Sequence, residues 1–411
     1  MHHSVWLDFA SPWCWGLIFT FWLLFTLISP RFQSWLWAGA NLTLIGLVLG
    51  LKGVAVALGG IGYFYVLAQG ISRHTQGEKH ESHSTSSPAQ SWLKLYLPLA
   101  IFTALFLFIT HKTEWIFQAN HSLTKDILSV VGFSYVCLRI IDLIRTLQLS
   151  PQWAPTFIDT LNYLLPFHML TAGPIQKYSD FVKHRPSQIQ TSNAQDYVDR
   201  WLKGGERIAM GLVKKYCIAG LIQGICLTQF STQGWALFLE AHLFYIWLYF
   251  DFSAYSDLAV GVGHLCGLHT PENFNKPLSA RNLTVFWERW HISLSLWIRS
   301  HLYTPIQLHL ARKTRNARPV LISTFAFSVA FLLCGAWHDV SFRFVCWGGL
   351  HALGLSTCNA YKHYLIQRWG RKTIRKTYMK NRWIQGIATV ITFEFVALSL
   401  VFAFHPTLFS F

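Results

Sequence analysis

Residues 319–358 read PVLISTFAFSVAFLLCGAWHDVSFRFVCWGGLHALGLSTC. Two apolar runs, 319–337 and 341–358, flank a connector of only three residues. Each run approaches the ~20 residues that carry a helix across hydrocarbon. At membrane depth a helix satisfies its own backbone groups, so runs of this kind are read as spanning helices. The connector holds His338 and Asp339. So tight a turn belongs near the membrane face or is drawn into a cavity inside the protein.

Further runs of the same kind lie at 13–28, 35–51, 53–70, 93–109, 126–147, 208–228, 235–253 and 384–403. Hydrophobic residues make up 52% of the chain and Asp, Glu, Lys and Arg only 13%, so charge cannot clothe a water-exposed surface and lipid must solvate much of it. The 19 Trp and 15 Tyr suit rings anchored at the membrane interface. The expected fold is all-α and polytopic, with roughly ten transmembrane helices. Segments 154–175 and 254–311 contain Pro and many polar residues, and read as re-entrant or amphipathic pieces packed inside protein. Stretch 72–92 is polar, rich in Ser and His, and reads as a solvated linker.

The formal charge is +16, which in a soluble protein would suggest nucleic acid. Here the cations cluster in short loops, Arg312-Lys313-Thr314-Arg315 and 362–382, which is the signal of cytoplasmic loops and not of a nucleic-acid face. Two spans separate these loops, so both fall on the cytoplasmic side. Counting back puts Arg73, Lys79, Lys177, Lys183 and Arg185 inside as well, and both termini outside; Lys52 and Lys112 disobey. The eight cysteines form no C-x-x-C pair and read as buried small hydrophobes, with no metal site in view. Residues 1–12 carry no Lys or Arg and no A-x-A site follows, so a cleaved signal peptide is not expected.

Ionisable groups in apolar surroundings need a reason. Arg139 and Asp142, at i and i+3, read as neutralising each other on one helix face. Glu240 and Glu394 stand in apolar runs, either protonated or paired. His291 lies in Phe286-Trp287-Glu288-Arg289-Trp290-His291-Ile292-Ser293-Leu294-Ser295, a stretch too polar to face lipid. It and His338 are the imidazoles best placed to take a proton from a hydroxyl near neutral pH. Each is also of a type that more often serves structure.

At these residues the chain resembles the membrane-bound O-acyltransferase family, in its bacterial branch of D-alanyl transfer and alginate O-acetylation proteins. Four ordered blocks carry the resemblance, over roughly residues 130–355: Leu165 to Ile175, Phe250 to Gly261, Pro271 to Pro277 running on into Phe286–Trp297, and Gly335-Ala336-Trp337-His338 with Trp347-Gly348-Gly349-Leu350-His351. The resemblance implies helices around a central tunnel and one integral membrane domain over 1–411. Within it, 1–125 would be peripheral helices, 126–358 the catalytic core, and 359–411 a basic cytoplasmic loop with the last span. It implies that His338 is the catalytic base and His291 its polar partner, with Trp290, Asn273, Asn275 and Asp339 as tunnel groups. The donor would be a thioester, acetyl-CoA or an acyl carrier protein, arriving from the cytoplasm with no bound cofactor. The acceptor would be a hydroxyl of a cell-envelope glycopolymer or a partner acyltransferase, beyond the bacterial plasma membrane.

Two departures stand out. Asp339 occupies a position where relatives carry a small residue, and a carboxylate raises an imidazole's pKa if the two meet. Trp297-Ile298-Arg299 runs into Ser300-His301 without the family's usual acid. Asn273-Phe274-Asn275-Lys276-Pro277 is more similar to the D-alanyl branch, and Asp251 to Ala259 to the O-acetylation branch. Competing readings are a transporter or flippase, a scaffold, and a Cys334 nucleophile at i−4 from His338. The apolar surroundings of that thiol disfavour the thiolate it would need.

Overall fold

The computed structural model describes residues 12–80, 132–185, 194–226, 235–315, 317–374 and 380–404. Among them every regular element is helical, as expected. The longer helices are α1 Pro12–Leu27, α2 Pro30–His80, α3 Phe133–Leu149, α4 Phe157–Leu164, α5 Tyr178–Lys183, α6 Ala194–Leu212 and α7 Trp235–Cys266. They continue with α8 Leu283–Trp287, α9 Ile292–Ile298, α10 Thr304–Lys313, α11 Pro319–His338, α12 Phe342–Thr373 and α13 Arg382–Phe404. Helices α2, α11 and α13 contain stretches long and apolar enough to cross a bilayer. The chain is a membrane protein.

Two compact units are formed, one from 1–209 with 257–271, the other from 210–256 with 272–411. In the first, α2 is broken at Gly50, where φ is 68° and ψ −174°. A Cβ on Gly46 would lie 3.4 Å from Val54 Cγ2, a distance that a continuous helix could not give residues eight apart. The two arms therefore double back, and the runs 35–51 and 53–70 are two helices joined with almost no loop. The second arm continues to His80, so the start of the polar stretch 72–92 is helix and not linker. Ser72 explains this: it is buried and donates to the Pro151 carbonyl. The remainder of that stretch and the run 93–109 lie outside the described residues.

The segment after α3 is irregular but accounted for. Arg139 is fully buried and donates to the carbonyls of Leu164 (3.4 Å), Met169 (3.0 Å) and Pro174 (3.2 Å). Asp142 accepts from the Tyr163 hydroxyl (3.0 Å) and the Tyr178 N–H (2.7 Å). Arg139 and Asp142 thus satisfy a buried loop whose backbone has no helix to bond within. Asn41 adds a bridge to Asn162 (3.0 Å) and to the Phe167 N–H (2.8 Å). Thr156 and Asp159 close a capping box at the start of α4.

In the second unit α11 and α12 form an antiparallel pair across the connector 339–341. Helix α12 runs past the expected end of its span at 358, through Lys362 and Arg368, and breaks only at Gly370, with φ 72°. Helix α7 likewise extends beyond 253 to Cys266. In both cases the polar residues sit on further helical turns, where backbone bonding continues whatever the side chain prefers.

Candidate active site

Two glycines bring α11 and α12 into backbone contact. A Cβ on Gly335 would meet the Phe344 carbonyl oxygen at 2.2 Å, and one on Gly348 the Phe331 carbonyl oxygen at 2.2 Å. Small residues permit this approach between membrane helices. His338, the last residue of α11, is thereby held against α12: its ring stands perpendicular to Trp347 at 5.4 Å and lies 6.0 Å from Phe344.

His291 comes from a different device. It is the residue before α9, in the left-handed region with φ 43° and ψ 54°. A non-glycine residue there is uncommon and must be held. The Ile292 N–H donates to the Asn273 carbonyl (2.9 Å) and the Asn275 N–H to the Arg289 carbonyl (3.0 Å). The Asn273 side chain then accepts from the Ser293 N–H (3.2 Å) and hydroxyl (2.6 Å). Burial, and secondarily the nearby His338, pushes the His291 imidazole down to about 3, so it is neutral at physiological pH.

His338 and His291 line one cavity of about 170 Å³. A third imidazole, His351, shares the wall, which is otherwise aliphatic and aromatic and includes Tyr245, Trp287, Trp290 and Trp347. His351 is tied at both nitrogens. Trp287 Nε1–H donates to Nδ1 (3.3 Å), and Nε2–H donates to Ser399 Oγ (3.1 Å), whose own proton goes to the Val396 carbonyl (2.8 Å). That chain fixes the His351 tautomer and occupies both of its ring nitrogens.

The wall includes an unmatched donor among the described residues. Trp347 is 7% exposed, and among the described residues its indole N–H has no acceptor. A buried donor left unpaired costs about 1–3 kcal/mol.

The structure gathers some expected site residues and disperses others. His338, His291 and Trp290 meet at the cavity. Asn273 is fully buried and braces the His291 turn from outside the wall. Asn275 is exposed, and Asp339 is partly exposed on extended backbone just beyond α11. Cys334 is buried but is not part of the cavity wall. His351 and Trp347 belong to the motif Trp347-Gly348-Gly349-Leu350-His351, and their i, i+4 spacing on one helix face is the sequence signal for their shared place in the wall. Glu394, left open as protonated or paired, meets His242 Nε2 at 2.9 Å, while His242 Nδ1 donates to the Phe238 carbonyl (2.7 Å).

The sequence profile of MBOAT, the membrane-bound O-acyltransferase family, matches residues 83–400. The chain belongs to that family. It is 30% identical over 319 residues to the teichoic acid D-alanyltransferase of Bacillus subtilis, covering 75% of this chain and 76% of the relative. It is 32% identical over 234 residues to the probable alginate O-acetylase of Pseudomonas aeruginosa, covering 56% and 42%. Against the peptidoglycan O-acetyltransferase of Helicobacter pylori it is 32% identical over 251 residues, covering 60% and 44%. This membrane-bound O-acyltransferase is therefore an acyl-transfer enzyme, and all three histidines of its cavity, His291, His338 and His351, lie inside the matched region.

Proposed function

We propose that this membrane-bound O-acyltransferase moves a short acyl group, acetyl or D-alanyl, from a cytoplasmic thioester to an acceptor hydroxyl beyond the bacterial plasma membrane. The acceptor belongs to a cell-envelope glycopolymer or to a partner acyltransferase. Roughly ten helices surround the path between the two sides. His338 removes the hydroxyl proton as the oxygen attacks the thioester carbonyl, and returns it to the departing sulfur. His291, neutral and rigidly placed, orients the acceptor or His338 by hydrogen bonding. Neither a metal nor a bound cofactor takes part.

The observation that supports this reading is the convergence of His338 and His291, from separate elements, on one largely apolar cavity. Water exclusion strengthens every polar interaction made inside such a site. Its volume is close to the roughly 150 Å³ that accepts a benzene-sized guest, which suits a two- or three-carbon acyl group. Cations at Lys372, Arg375 and Lys376 would attract an acidic donor to the cytoplasmic face; Arg375 and Lys376 lie outside the described residues. Neutralising all three should weaken donor affinity, and unchanged affinity would remove that part of the reading.

The test is acyl release from the cell envelope by mild alkali, with mass spectrometry, in wild type, a deletion strain and His338→Ala. Acetate or D-alanine should fall to the deletion level in His338→Ala at normal membrane abundance, which also names the acyl group. Wild-type acylation in that variant would make His338 structural and favour a transporter of the same architecture.

A further inference from the structure

We infer that Trp347 is a catalytic residue, its indole N–H receiving the negative charge that develops on the thioester carbonyl oxygen. This rests on the acyl-transfer reading given above for His338.

Three observations meet at this side chain. Trp347 lines the same cavity as His338 and His291. Its ring stands at 90° to the His338 imidazole with centroids 5.4 Å apart. And it is buried with a donor for which the described residues provide no acceptor, while the neighbouring Trp287 in the same wall spends its N–H on His351. Buried donors are normally paired, so an orphan beside a catalytic base calls for an acceptor that arrives with the substrate.

The ring is held for that purpose. His351, one helical turn on, lies 4.7 Å from it, and Trp287 packs edge-on at 6.0 Å. His351 is itself tied to α13 through Ser399. A donor fixed in advance costs no reorganisation when charge appears, which is the basis of stabilisation of this kind.

The step balances as follows. The acceptor oxygen bonds to the carbonyl carbon while His338 takes its proton. The carbonyl π pair moves onto oxygen and accepts the Trp347 N–H. Collapse restores the C=O bond, breaks the C–S bond, and the thiolate takes the proton from His338. An ester and a thiol result, and Trp347 is unchanged.

The decisive variant replaces Trp347 by 3-benzothienylalanine through site-specific amber suppression, putting sulfur where the N–H stands and keeping the ring's shape. The readout is the initial rate of envelope ester formation after induction, at membrane levels matched to wild type, beside Trp347→Phe and His338→Ala. The isostere and Trp347→Phe should both lose about 100-fold, equivalent to ~2.7 kcal/mol of barrier. An isostere within about threefold of wild type would overturn the proposal, whether or not Trp347→Phe is impaired, since the N–H is then unused. If His338→Ala also keeps the wild-type rate, the underlying acyl-transfer reading has failed instead.

Discussion

Burying an imidazole carries a cost that depends on acidity. His168, 3% exposed, bonds Thr270 Oγ1 at 3.1 Å through Nε2, and burial, then the Arg139 charge, pushes it down to about 3. His291 is lowered in the same way. Both lie below the ordinary 6.5, so the unfolded chain binds these protons more readily. Stability is then complete above about pH 6.5 and is lost as pH falls towards about 3, by up to ~1.4 kcal/mol per pH unit for each group. Detergent-solubilised protein should melt at a lower temperature at pH 5.5 than at pH 7.5, and His168→Gln should shrink that gap. An unchanged gap would place its origin elsewhere. At this scale the sequence marked His338 and His291 by residue type and setting. It could not separate Asn273, which braces, from Trp290, which lines the cavity, because that depends on a left-handed turn at His291 that no local pattern announces.

Helices α11 and α12 owe their contact to backbone, and their glycines divide accordingly. Gly335→Ala or Gly348→Ala would drive a methyl into a carbonyl 2.2 Å away, whereas a Cβ on Gly349 meets nothing closer than Leu332 Cδ2 at 3.8 Å. Either of the first two should abolish activity or membrane accumulation, since neither rigid neighbour can give way. Gly349→Ala should be close to wild type in both measurements. Equal tolerance at all three positions would show that the helices stand further apart. Two apolar runs with a three-residue connector made this pair legible in advance. The reach of α7 and α12 was not, because hydropathy marks where lipid ends and a helix continues for as long as its backbone bonds find partners.

On the scale of the molecule, composition alone identified lipid as the solvent, and four ordered blocks identified the family. Orientation follows from charge. Cysteines placed at Lys313 and Lys372 in a cysteine-free background should react with impermeant maleimide only after the cytoplasmic face is opened, and one at Val340 before. The reverse pattern would invert the chain and, with it, the sides proposed above for donor and acceptor. Lys52, which disobeys the charge rule, sits beside the joint at Gly50. Because that joint has almost no loop, the two arms of α2 can enter the bilayer together as one preformed wedge, with nearly no polar chain to be carried across. The passenger is a single ammonium on a flexible stem, able to reach the far headgroups as soon as the wedge is seated. Lengthening the joint with a few serines and lysines would leave every helical contact intact and still strand the protein during its synthesis, a failure of delivery and not of folding.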